Sequence, residues 1–311
     1  MNYKKLTLFL LCAFIPMIGT GLALHFMGPS SIEADGTTSD LIGAVIRYVL
    51  TAGAMFIPLL AVIITQATYK EHILKGTGIS FKVNRWWIIG WLLMPVIAMG
   101  GLGMTLLMPG AQWAPDSETV QLALRSMPEG FGIWGMIGIT LLSGLFAGVT
   151  INAIFAFGEE VAWRGYLLKL FKGKSFMATA LWTGIIWGLW HAPLILNGHN
   201  YPQHPVAGVF MMVVLCMLLT ILLMYFRMKS NSVIVPAIMH GTLNAVAGIT
   251  NLLITPFNDL LFGNQGLAGM IVLLIIDLCI FLYDRYISKE NIFLSALETA
   301  DWQEDVFKGY I

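Results

Sequence analysis

The sequence predicts an all-α polytopic membrane protein, and three observations carry that expectation. Of its 311 residues, 58% are hydrophobic and only 11% are charged, whereas a soluble domain carries about 25% charged residues. The mean hydropathy is +0.79. The apolar residues also gather into runs of roughly 20, the length that carries a helix across a bilayer core. The 17 basic and 17 acidic residues cancel, so no basic face is offered to a nucleic acid. Cys12, Cys216 and Cys279 lie far apart inside apolar runs. That setting suits packing residues better than a disulfide or zinc framework.

In chain order the runs give about eight expected spans. They are Leu6–Met27, Ile42–Gln66, Trp87–Met108, a long run ending near Leu170, Phe176–Leu196, Gly208–Met228, Val233–Leu253 and Leu267–Tyr283. Lys4 and Lys5 precede the first run as they would in a signal peptide. The run is long for that purpose and no A-x-A site follows, so it reads as a retained span. The polar breaks then alternate in charge. Lys4 and Lys5 are followed by a break from Pro29 to Asp40 without Lys or Arg, and then by one with Lys70, Lys75, Lys82 and Arg85. The next holds Arg125 among Asp116, Glu118 and Glu129; Lys169, Lys172 and Lys174 follow. The break with His199 and His204 is again free of Lys and Arg, Arg227 and Lys229 come next, and the last pair of breaks contrasts Asp259 with Arg285 and Lys289. Cytoplasmic loops carry the excess of Lys and Arg. Both termini are therefore expected in the cytoplasm of a multi-pass plasma-membrane protein.

Two elements need separate justification. From Ile133 to Leu170 the chain is apolar for so long that one straight helix would reach about 57 Å, roughly twice the hydrocarbon core. It either protrudes or breaks near Gly144 and Gly148. After a membrane domain spanning 1–285, the tail 286–311 is polar with apolar interruptions at Ile292, Phe293, Leu294, Leu297 and Phe307. A short cytoplasmic amphipathic helix is expected there.

Ionisable residues inside spans are rare and mark functional sites by default. The fourth run contributes Asn152, Glu159, Glu160 and Arg164, in the stretch "GEEVAWRG"; the fifth contributes His191, and the seventh His240, Asn244 and Asn251. Glu160 and Arg164 are four apart and share a helix face, as do His240 and Asn244. Glu159 is rotated about 100° from its neighbour. The geometry thus pairs Glu160 with Arg164 and leaves Glu159 free. Arg47, near the outer end of its span, suits a snorkelling structural role. Asp277, about two turns from Arg285, suits a structural pairing. "NGHNYPQHP" around His199 and His204 reads as a turn-rich cap.

A free carboxylate with two imidazoles in a partly dry cavity can activate water for attack on a carbonyl. An imidazole and an amide can donate hydrogen bonds to the developing oxyanion. The alternative is a zinc ion on Glu159, His191 and His240 with an open coordination position, although neither HExxH nor a Glu-x-x-His pair occurs. The bland readings are an interfacial helix end for the glutamates, a packed histidine at His191, and a helix–helix polar clamp at His240 and Asn244.

These residues resemble the CAAX protease and bacteriocin-processing (CPBP, or Abi) family of intramembrane peptidases. "EEVAWR" matches the family's EExxxR at Glu159, Glu160 and Arg164. "WGLWH" resembles FxxxH, with Trp187 in place of Phe and His191 kept, and "HGTLN" matches HxxxN at His240 and Asn244. The motifs fall between 144 and 253. The resemblance implies glutamate-dependent proteolysis of a membrane-associated peptide or protein substrate, lipidated in the eukaryotic members, within the lipid bilayer. It assigns Glu159 as general base, His191 as its helper, His240 and Asn244 as oxyanion donors, and Glu160 with Arg164 as a supporting pair. The family is often named metalloprotease, yet a water-activating glutamate requires no metal. Two other classes of function use the same residues: an ion- or proton-coupled transporter, and a non-catalytic bacteriocin-immunity protein of the same fold.

Overall fold

The computed structural model describes residues 2–28, 38–127 and 130–297. The break from Pro29 to Asp40 and the tail beyond 297 therefore fall largely outside the described residues. The described residues are all-α apart from a two-residue pairing of β1 (Gln112–Trp113) with β2 (Ile254–Thr255) and an isolated bridge between Ser175 and Ala296. The helices are α1 (Tyr3–Phe26), α2 (Thr38–Ala54), α3 (Ile57–Thr68), α4 (Arg85–Leu106), α5 (Glu118–Arg125), α6 (Ile133–Val149) and α7 (Ile151–Glu160). A π turn, Val161–Tyr166, continues α7 into α8 (Leu167–Leu170). Then come α9 (Phe176–Trp190), α10 (Ala192–Ile195), α11 (Pro205–Ser230), α12 (Ile234–Val246), α13 (Ile249–Leu253) and α14 (Leu267–Leu282).

Among the described residues, four helical segments are individually long and apolar enough to cross a membrane: Tyr3–Phe26, Arg85–Leu106, Pro205–Ser230 and Leu267–Ser288. Two further pairs qualify as bent spans. Leu41–Ala54 with Ile57–Thr68 turns by 43°, and Ile133–Val149 with Ile151–Leu170 by 53°. The expected count of about eight full spans is not confirmed among the described residues, which hold four to six candidates. The fifth and seventh runs form helices of 15 and 13 residues, α9 and α12, shorter than the roughly 20 residues a crossing needs. A turn at His191 interrupts the fifth run, and Ala247 and Gly248 interrupt the seventh.

The long fourth run does break, but at Thr150, whose ψ is −104°, and not at Gly144 or Gly148. Those glycines serve close packing instead. A Cβ on Gly148 would lie 2.0 Å from Thr242 Oγ1, and one on Gly144 would lie 2.4 Å from Val246. The same contact is built from the other side, where a Cβ on Gly241 would meet the Asn152 carbonyl carbon at 2.7 Å. The bent run therefore lies against α12 almost backbone to backbone. Small residues permit this approach where the bilayer offers no hydrophobic drive between helices. Asn152 Nδ2 donates to Gly241 O at 3.1 Å across the seam.

The ends of the molecule differ as the charge pattern implies. Glu71 takes ion pairs from both Lys5 and Lys169. Asn84 Nδ2 donates to Ser230 O at 3.3 Å, and Gly173 N donates to Leu297 O at 3.0 Å. Lys229 pairs with Glu290. All five breaks rich in Lys and Arg thus meet at one end. Burial alone would raise the Glu71 carboxyl, but Lys169 and Lys5 outweigh it and hold Glu71 below the usual carboxylate range. At the opposite end His204 Nδ1 meets Asp259 Oδ1 at 2.6 Å, and Tyr201 donates its hydroxyl to Gln265 O at 2.7 Å. The "NGHNYPQHP" loop is thus a tied cap, as its turn residues suggest. Arg47 is structural, donating to Gly28 O. Asp277 departs from expectation: both of its carboxylate oxygens are buried without a hydrogen-bond partner, while Arg285 bonds Asn291 at 2.7 Å.

Gly241→Ala is expected to lower unfolding stability in detergent by about 1–3 kcal/mol through overpacking. Gly103→Ala meets nothing within 4 Å and should shift it by no more than about 1 kcal/mol. Equal effects in a thermal unfolding assay would contradict the close-approach seam.

Candidate active site

Glu159 and Glu160 end α7, and the π turn begins at the next residue. Such wider turns recur at functional sites. Both carboxylates are buried, at 2% and 0% exposure. The i,i+4 pairing read from the sequence is present: Arg164 donates to Glu160 Oε1 at 2.9 Å. Its other terminal nitrogen donates to Thr220 Oγ1 at 2.9 Å, and its guanidinium stands 4.0 Å over the Trp187 ring. His240 Nδ1 also reaches Glu160 Oε1, at 2.9 Å. One carboxylate oxygen therefore joins a guanidinium from its own helix to an imidazole from α12. Buried charge of this kind persists only when matched, because the desolvation cost of each ion is several kcal/mol.

Glu159 is held differently. Its Oε2 accepts from Trp187 Nε1 at 2.6 Å and from Trp163 Nε1 at 3.3 Å. No ion pair to it is found among the described residues. Both indoles bond the same oxygen, so Oε1 is left toward the cavity that Glu159 lines. The two glutamates are thus inequivalent as helical geometry requires, although Glu159 is anchored by indoles instead of standing without partners.

His191 Nδ1 lies 2.9 Å from Trp187 O. A carbonyl only accepts, so Nδ1 carries the proton and Nε2 of the neutral ring carries the lone pair. His191 sits at the interruption between α9 and α10, which turns it into the cavity. The Trp187 ring ties the site together, with centroids 5.7 Å from His191 and 5.3 Å from His240. The short α9 and α12 bring His191 and His240 to the same cavity.

That cavity has a volume of about 690 Å³. Glu159, His191, His240 and Asn244 all line it, together with Asn152 and Asn251. A smaller apolar recess of about 70 Å³ adjoins it past His191, His240 and Asn244, walled by Met94, Leu215, Leu219 and Leu243. Among the described residues no three of His, Cys, Asp and Glu gather as a metal ion requires. Glu159 Oε2 and Glu160 Oε1 are already committed to indole, guanidinium and imidazole donors.

Sequence reasoning missed Trp163 and Thr220 and named Trp187 without its hydrogen bond. Trp163 stands four residues after Glu159, the same spacing that pointed to Arg164, so its contact was readable. Trp187 was noted only as standing in place of the phenylalanine of the family motif, yet its N–H makes the shorter of the two indole bonds to Glu159, which a phenylalanine cannot make. Thr220 comes from α11 and has no sequence signal.

Fold and site together define a class: a polytopic membrane protein with a buried glutamate–histidine constellation beside an internal cavity. Residues 133–246 match the family model described as "Type II CAAX prenyl endopeptidase Rce1-like". The match bears out the family resemblance carried by the three motifs, and all of the motif residues fall inside it. It supports a CAAX-protease-like intramembrane peptidase in general. No curated protein matches the chain.

Removing one partner of a buried ion pair typically costs about 3–5 kcal/mol. Arg164→Met, which leaves Glu160 facing only His240, should therefore destabilise the protein by about that amount in detergent unfolding. Unchanged stability would show that the pair is not charged or not buried.

Proposed function

We propose that the protein is an intramembrane endopeptidase that cleaves a membrane-associated peptide or protein with a water activated by Glu159. The observation that carries the reading is the division of labour between the carboxylates. Glu160 is consumed by Arg164 and His240. Glu159 is oriented by two neutral donors and lines the cavity. A carboxylate oriented without an ion pair can accept a proton; one locked to a guanidinium cannot do so readily.

The reaction follows from these positions. A water between Glu159 Oε1 and the His191 Nε2 lone pair attacks the scissile carbonyl carbon, and Glu159 takes one of its protons. The carbonyl π pair moves to oxygen, where Asn244 and the ring of His240 stabilise the oxyanion. The C–N bond then breaks. The departing amine takes the proton from Glu159, and the carboxyl product leaves with the water oxygen. Glu160 is a positioning residue: its carboxylate accepts Nδ1–H of His240 and holds that ring as an imidazolium, whose Nε2–H is left to donate to the oxyanion. No step of the proposed reaction requires a metal, so cleavage should persist in a chelator; loss of cleavage restored by zinc would contradict it. The proposal sets the chain in the cell membrane with both termini in the cytoplasm, a sidedness supported by the Lys and Arg excess of alternate breaks.

Glu159→Gln should reduce cleavage of a membrane-delivered peptide in liposomes by about 100-fold or more, the scale of lost acid–base catalysis, with unfolding unchanged. Retained cleavage would contradict the assignment. Trp187→Phe keeps the ring but removes the N–H. A hydrogen bond to a charged group is worth about 1.5–3 kcal/mol, so kcat should fall by about 10- to 100-fold with KM little changed. A wild-type rate would show that the 2.6 Å bond does not position the base.

A further inference from the structure

We propose that the cavity opens to the non-cytoplasmic side of the membrane, and that the substrate is a peptide segment presented on that side. The second half rests on the peptidase reading; the first does not.

Two independent observations meet here. The first is charge. The breaks rich in Lys and Arg are gathered at one end by the Lys5–Glu71–Lys169 pairs, by Asn84 on Ser230, by Lys229 on Glu290 and by Gly173 on Leu297. Excess Lys and Arg mark the cytoplasmic side, so this end faces the cytoplasm. The second is the wall of the cavity. None of its lining residues belongs to those breaks. Its far rim comes from the two loops of the other end, Gly198 to Pro202 and Phe257 to Gln265, including Asn200 and Asp259.

Toward the basic end the space is closed. Directly below Glu159 stand Trp163, Arg164, Tyr166, Leu167 and Leu168, all fully buried. On one side the cavity is walled by Tyr48, Thr51, Ala52 and Met55, the part of α2 next to its bend. That bend is seated on the site's helix: a Cβ on Gly158 would lie 2.5 Å from Met55 O. Water and peptide therefore reach Glu159 from the loop end that lacks basic charge. A segment exposed outside, or lying in the outer half of the bilayer, meets the site directly. A C-terminus that stays in the cytoplasm does not.

Sided labelling tests the first half. In a chain with Cys12, Cys216 and Cys279 replaced by alanine, Asn200→Cys and Leu261→Cys probe the rim, and Lys75→Cys probes the basic end. A membrane-impermeant maleimide on intact cells should label the rim cysteines at least about ten times faster than Lys75→Cys, which should react only after permeabilisation. The reverse pattern, or equal labelling of both ends, overturns the proposal. The second half uses the wild-type chain and two single-span reporters with the same cleavable segment, one placing it outside and one inside. Cleavage of the outside reporter alone, lost in Glu159→Gln, supports the proposal, and cleavage of the inside reporter overturns it. Rim labelling from outside with neither reporter cut upholds the opening and refutes the substrate claim together with the peptidase reading.

Discussion

The arrangement depends on one buried oxygen. Glu160 Oε1 receives Arg164 from its own helix and His240 from α12, and both Glu160 and Arg164 are fully buried. An unmatched carboxylate or guanidinium there would cost several kcal/mol, so each partner constrains where the others stand. Arg164, fixed by Glu160 and Thr220, lies over the face of Trp187. Trp187, so placed, points its N–H at Glu159 and its carbonyl at His191. The ion pair thus orients the second carboxylate and both imidazoles without touching Glu159.

That chain of contacts is only reachable because the helices approach so closely. Gly148 and Gly241 let the bent run and α12 meet at backbone distance, and Gly158 admits the α2–α3 bend beside Glu159. The short α9 and α12 matter as well. Each stops within the molecule, and the interruptions at His191 and at Ala247 with Gly248 leave room for a cavity that full-length helices would fill.

Much of this was legible in the sequence. Composition and run length give the all-α membrane class. The i,i+4 rule gives the Glu160–Arg164 pair, because both partners ride on one helix. What was not legible joins distant parts of the chain. His240 bonds Glu160 across 80 positions, and no periodicity reports that. Helix length was overread for a physical reason: an apolar run measures hydrophobicity, and an interruption such as that at His191 costs no polar residues to announce it. Thr150 likewise broke the fourth run where glycines were expected to, since Gly144 and Gly148 are used for contact. Trp187 shows the reverse case, a residue known from the motif whose indole N–H mattered more than its bulk.

The central claim is that one cavity presents a water-activating carboxylate opposite an oxyanion site. A structure in lipid nanodiscs with a peptide ketone, bound as its hydrate, measures this most directly. The account predicts one hydrate oxygen within hydrogen-bond reach of Glu159 and His191, and the other within reach of His240 and Asn244. A hydrate bound away from Glu159, or with Glu160 and not Glu159 against it, would contradict the account.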